Sequence, residues 1–149
     1  MSFVERLERQ KAIRDQEERE RIRVAQQQET EKLRANEKRQ RDINTANSVL
    51  ENASVVNDLA HELAKSLGER IGYYGGYGNP REMCIILEYI PSEKSHKVIA
   101  IHGNSNGTIQ IGSTILTPDN FNDPIKVDQA LEVAYKKPTL KGIPQDQSW

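Results

Sequence analysis

The chain has 149 residues, of which 36% are hydrophobic and 29% charged, and its formal net charge is −1. That balance disfavours a protein that holds nucleic acid or lipid by bulk charge. The single cysteine, Cys84, excludes an intrachain disulfide and a cysteine-based metal cluster. No window approaches the ~20 apolar residues of a membrane span, and the N-terminus lacks the apolar core of a signal peptide. We therefore expect a soluble, cytoplasmic protein with no membrane contact.

Residues 1–42 predict a charged helix. They contain twelve Lys and Arg against ten Asp and Glu, and neither Gly nor Pro occurs before Gly68. Nine acid-first ion pairs have helical spacing, and at about 0.3 kcal/mol each they would contribute about 3 kcal/mol. The pairs are Glu5–Arg9, Asp15–Arg19, Glu17–Arg21, Glu37–Arg41, Glu8–Lys11, Glu18–Arg21, Glu20–Arg23, Glu29–Lys32 and Glu31–Arg34.

An eleven-residue repeat runs through this segment. Ile13, Val24, Ala35 and, just beyond this segment, Ala46 recur at that interval, and Ile22 and Leu33 repeat it. An eleven-residue period keeps a nearly straight apolar stripe on a helix. We interpret it as a weak coiled-coil seam. The alternatives are a solitary helix held by its ion pairs, and disorder.

Residues 43–67 predict that the same helix continues without interruption as an amphipathic helix. Burying about ten apolar side chains at 1–2 kcal/mol each would stabilise the fold by roughly 15 kcal/mol, so this half must pack against something. Asn57 lies within the apolar face, either to fix a helical register or as a boundary residue. The predicted packing face comprises Ala46, Val49, Leu50, Ala53, Val56, Ala60, Leu63 and Leu67.

After Gly68 the pattern changes to loops and strands. The Gly72–Pro80 segment predicts a loop, and apolar runs over 83–90, 97–102 and 108–112 predict three strands. A second helix over 125–137 begins after the N-cap Asp123 and Pro124. Its predicted buried residues are Val127, Ala130, Leu131 and Ala134.

The expected fold class is therefore α+β. A long N-terminal helix, first charged and then amphipathic, precedes a small three-stranded antiparallel meander and a second helix (α-β-β-β-α). The predicted organisation is a charged helical arm or weak coiled coil over 1–42, a small α+β domain over 43–137 that includes the amphipathic half of the long helix, and a C-terminal tail over 138–149.

One candidate binding loop stands out. Tyr73, Tyr74 and Tyr77 alternate with glycines, a composition suited to stacking on a partner or a small ligand. The alternative is a plain helix-to-strand connector, and the spacing does not match a phosphate-binding loop. The three histidines form no ligand pair at helical spacing. We predict no catalytic residues, no metal and no cofactor.

The preferred functional hypothesis is a structural or adaptor protein, not an enzyme. It would self-associate or dock into a larger assembly through its N-terminal helix and present a small α+β interaction domain to protein partners. One alternative is a nucleic-acid-binding module, because the element order resembles double-stranded-RNA-binding domains in topology only; the acidic stretch 119–123 before the second helix disfavours it. The other alternative is a small-ligand-binding protein that uses the Gly/Tyr loop.

Overall fold

The computed structural model describes residues 2–76 and 78–142 and confirms the α+β class. Contacts divide the chain into two compact units, Met1–Arg39 and Gln40–Trp149. In chain order the elements are α1 (Phe3–Glu51), α2 (Ser54–Leu67), β1 (Ile71–Gly76), β2 (Asn79–Ile90), β3 (Ser95–Gly103), β4 (Ile109–Ile111), β5 (Thr114–Leu116), α3 (Pro118–Phe121), α4 (Pro124–Lys136) and β6 (Thr139–Gly142).

The first unit consists of most of α1. Its start has a reciprocal cap, in which the Ser2 hydroxyl accepts from the Glu5 amide at 3.2 Å and the Glu5 carboxylate accepts from the Ser2 nitrogen at 3.3 Å. Every residue from 2 to 42 is exposed. Among the nine predicted ion pairs, the described structure brings Glu20 and Arg23 within 4.0 Å. Ion pairing therefore supplies little of the free energy that this helix needs.

The expectation of one uninterrupted helix through residue 67 is wrong, because Asn52 and Ala53 separate α1 from α2. In a straight helix Leu50 and Val56 would point about 120° apart, whereas the break lets both enter the same core. The Asn57 amide donates to the carbonyls of Leu50 and Ala53, each at 2.8 Å. These carbonyls also accept from the backbone amides of Ala53 and Asn57, so the Asn57 side chain adds a second donor to each and links the end of α1 to the start of α2.

The described sheet has six strands rather than the predicted three. Strands β1 to β5 follow one another as an antiparallel path, and β6 joins the edge of β3 that β4 leaves unpaired. Strand β5 is a separate strand because the chain turns at Gly112 and Ser113 after β4. The first four described residues of the expected tail after Pro138 form β6, which pairs with Ser95–Val98.

The prediction of a loop over Gly72–Pro80 is also wrong, because most of this segment forms β1 and the start of β2. The pairing of β1 with β2 is irregular between Tyr74 and Gly76. Gly75 has φ +100, and a Cβ there would collide with the carbonyl oxygen of Pro80. The glycines therefore permit a bulge in an edge strand, a role that composition alone does not separate from a loop.

The two faces of the sheet are packed differently. Helices α2 and α4 cover one face and form the main core with apolar residues of β2, β3 and β4. A smaller buried cluster of Cys84, Val98 and Ala100 lies on the other face, with Tyr74 and Ile86 packed against it. The polar residues described below border this second cluster.

Candidate functional site

The two described tyrosines of the predicted loop lie in β1, on opposite sides of the strand. Tyr73 is exposed, and its ring centroid lies 5.8 Å from the guanidinium carbon of Arg81. Tyr74 is half-buried, and its hydroxyl donates to the carbonyl of Gly142. Tyr77 lies outside the described residues. Tyr73 and Tyr74 therefore do not form one stacking surface.

The predicted helix-packing face divides into three groups. Five members are buried: Ala46, Leu50, Ala53, Val56 and Ala60. Val49 and Leu63 are partly buried and pack against the core, whereas Leu67 remains exposed. The last member thus lies beyond the part of α2 that the sheet covers.

A second surface consists of large apolar side chains on α1. All are between 46% and 67% exposed, although each is large enough to favour burial. They are Phe3, Val4, Leu7, Ile13, Ile22, Val24 and Leu33. We call this set the α1 apolar surface.

A polar cluster centred on Glu82 lies at one end of the second sheet face. Lys141 places Nζ 2.8 Å from Oε1 of Glu82, and His102 places Nδ1 3.4 Å from Oε2. Cys84 approaches the same carboxylate, with Sγ 3.6 Å from Oε1. Nδ1 of His102 is buried and makes no well-aligned hydrogen bond among the described residues, so the Glu82 carboxylate is its nearest polar contact in this cluster.

Strand pairing explains part of this convergence. Glu82 lies opposite Tyr74 on β1 and opposite His102 on β3. Lys141, in contrast, pairs along β3 with His96 and reaches Glu82 across the sheet face. Side chains of β1, β2 and β6 therefore meet over this face, so the sheet curls around the small cluster that contains Cys84. A register shift in β2 between Ile86 and Glu88 is consistent with the bending this requires.

The contacts in this cluster keep the Glu82 carboxylate in its charged form. Burial alone would raise the pKa of Glu82, but the contacts from His102 and Lys141 outweigh it and lower the pKa to about 2. Burial, with a smaller effect of the Glu82 charge, raises the pKa of the Cys84 thiol to about 12. Burial is also the main reason that the pKa of Tyr74 rises to about 12. Near neutral pH the thiol and the phenol therefore stay protonated.

An open cleft of about 400 Å³ borders these groups. Its walls include Tyr74, Pro80, Glu82, His102 and Lys141. A cleft of this size at the mouth of a curled sheet suits a small molecule, and a strongly shifted carboxylate in a cleft is typical of functional sites. The described residues contain no group of three or more metal-ligating side chains arranged to hold a metal ion.

Sequence reasoning did not identify this cluster. The spacing of the three histidines does not link His102 to either partner, and Glu82 and Lys141 lie 59 positions apart in the chain. The one available indication was Glu82 itself, an acidic residue at the start of an apolar run. Because side chains of a strand point alternately to its two faces, the Glu82 side chain would point to one face of the sheet.

Within the described part of the chain, no helix combines the length and apolar character that crossing a bilayer requires. No protein-family model matches the chain, and neither a curated protein nor a solved structure matches it.

Proposed function

We propose that this protein is a structural or adaptor protein that assembles through α1 and carries a small α+β interaction domain. The observation that supports this proposal is the α1 apolar surface, seven large side chains left in water on one helix. Burying one such side chain is worth about 1.5–3 kcal/mol. The exposed Glu20–Arg23 pair is worth about 0.5 kcal/mol or less. Association is therefore the larger source of stabilisation available to this helix.

The spacing of these residues favours more than one neighbouring helix. Val4 and Ile22 are eighteen residues apart, about five full turns, so they lie on the same side of α1. Ile13 lies nine residues from each, about two and a half turns, and therefore on the opposite side. Val24 and Leu33 are likewise nine residues apart and therefore lie on opposite sides of α1. Apolar side chains on two sides suit a helical bundle or a larger assembly better than an isolated two-stranded coil.

Paired glutamate substitutions on the two sides of α1 test this proposal. We expect the intact protein to self-associate at micromolar concentration in sedimentation equilibrium. Ile13→Glu with Val24→Glu should weaken association roughly tenfold or more, and Ile22→Glu with Leu33→Glu should do the same, because each pair puts charge into one contact. Both pairs lie on exposed positions and should leave the α+β unit folded.

The matched control is Ile125→Glu, which changes a still more exposed isoleucine in α4 and should leave association unaltered. A wild-type protein that stays monomeric at about 100 µM would contradict assembly through α1. So would glutamate variants that associate as tightly as the wild type.

The Glu82 cleft favours a second candidate function, the binding of a small molecule. Its support is the charged, half-buried carboxylate beside an open volume of metabolite size. A thermal-shift screen of nucleotides, sugars and carboxylates should give a ligand that raises the melting temperature, and His102→Gln should reduce that shift. A screen without such a ligand, or a shift that His102→Gln leaves unchanged, would count against this site.

A further inference from the structure

A groove runs between α2 and α4, and every described residue that lines it belongs to one of these two helices. Leu59, Leu63 and Leu67 follow one another at four-residue spacing along α2, and Leu131 and Tyr135 repeat that spacing on α4. The groove encloses about 440 Å³. Leu67 and Tyr135 are 37% and 50% exposed, so the helices leave an apolar strip open to solvent.

The rim of this groove is acidic. Glu62 on α2 and Asp128 and Glu132 on α4 line it, and none of the described lining residues is basic. Lys136 neutralises Glu132, with Nζ 3.1 Å from Oε1. Within 2–76 and 78–142, neither Glu62 nor Asp128 has an ion-pair partner within 4.0 Å. An apolar floor thus lies between two uncompensated carboxylates, one on each wall.

We propose that this groove binds a cationic amphipathic helix of a partner protein. Apolar residues at four-residue spacing on two adjacent helices form the receiving surface for the apolar face of a third helix. Lysine or arginine on both flanks of that face would meet Glu62 on one wall and Asp128 on the other. The same carboxylates repel acidic peptides, nucleic acid and anionic lipid, which narrows the occupant to a basic segment.

Helix binding in this groove would make the proposed function more specific. It rests on the proposed function only because the α+β unit is taken to be an interaction domain. It names the chemistry of the partner that this unit would recognise. It does not depend on self-association through α1, because every residue of the groove lies in the second unit.

A charge-exchange experiment on the full chain tests the proposal. The probe is a fluorescent peptide of about 18 residues, five helical turns, with leucines along one face and lysines on both flanks. Anisotropy should show saturable binding that weakens as salt rises. Glu62→Lys with Asp128→Lys should reduce the affinity roughly tenfold or more. A second peptide with glutamates in place of the lysines should bind this variant better than it binds the wild type.

Two controls separate this site from general attraction. Glu51→Lys with Asp58→Lys makes the same change in net charge at exposed positions outside the groove and should change the affinity by less than about twofold. Tyr135→Ser leaves the charges intact and removes exposed apolar area, so it should also weaken binding of the cationic peptide severalfold.

Several results would overturn the proposal. One is the absence of saturable peptide binding, and another is an equal effect of the two charge-reversal variants. A change in sedimentation when Glu62 and Asp128 are reversed, with no peptide present, would assign the groove to a second copy of the chain. The glutamate variants of α1 should leave peptide affinity unaltered, so failure of assembly and failure of this groove are distinguishable.

Discussion

Replacing Gly103 with alanine should lower the free energy of unfolding of the α+β unit by about 3 kcal/mol. Gly103 ends β3 and is buried against the last turns of α1. A Cβ at this position would collide with the carbonyl oxygen of Ala46 and would lie 3.3 Å from the amide nitrogen of Leu50. Both neighbours are helix backbone, so the clash cannot be relieved by rotating a side chain.

Urea unfolding followed by circular dichroism measures this effect. The matched control is Gly142→Ala, because a Cβ there would meet no heavy atom of residues 2–76 and 78–142 within 4 Å. The unfolding free energy of this variant should change by less than about 0.5 kcal/mol. A Gly103→Ala protein as stable as the wild type would mean that α1 and β3 are not in this close contact.

Replacing Glu82 with glutamine should lower stability at pH 7 by about 2 kcal/mol. The fall in its pKa from 4.5 to about 2 corresponds to roughly 3 kcal/mol, and solvent screening of a partly exposed group reduces that figure. Glutamine keeps the shape of the side chain but leaves the half-buried Lys141 ammonium without its counter-charge.

The stability lost on this substitution should depend on pH in a defined direction. Because the folded state lowers the pKa of Glu82, its contribution is complete above about pH 4.5 and is lost as the pH falls toward about 2. The difference in unfolding free energy between wild type and Glu82→Gln should therefore shrink across that window. Glu88→Gln is the control, since Glu88 is 63% exposed and lies 3.5 Å from Lys97, and its effect should stay below about 1 kcal/mol. A pH-independent difference would show that the carboxylate charge contributes nothing.

Local chemistry made α4 predictable. Asp123 accepts from the Ile125 amide at 3.0 Å and Pro124 occupies the first turn, as the sequence pattern indicates. The four residues predicted to be buried on this helix, Val127, Ala130, Leu131 and Ala134, are all buried. A cap, a proline and a helical period lie within fifteen residues of one another, so no distant contact was needed to infer this element.

Distant contacts decided the elements that sequence reasoning missed. Strand β6 has no apolar period and exists through its backbone pairing with Ser95–Val98. The end of α1 follows from the need of Leu50 and Val56 to share a core, although no helix breaker marks that point. The Glu82 cluster depends on the curl of the sheet, which brings Lys141 over β2. None of these features has a local pattern from which it could be inferred.

Amide hydrogen exchange of the intact protein at rising concentration is the most direct test of the central claim that α1 gains its stability from association. If neighbouring helices bury the α1 apolar surface, protection of residues 3–39 should increase from about 1 to 100 µM, while protection of β2 and β3 stays constant. Exchange of residues 3–39 at the same rate at every concentration would contradict the account.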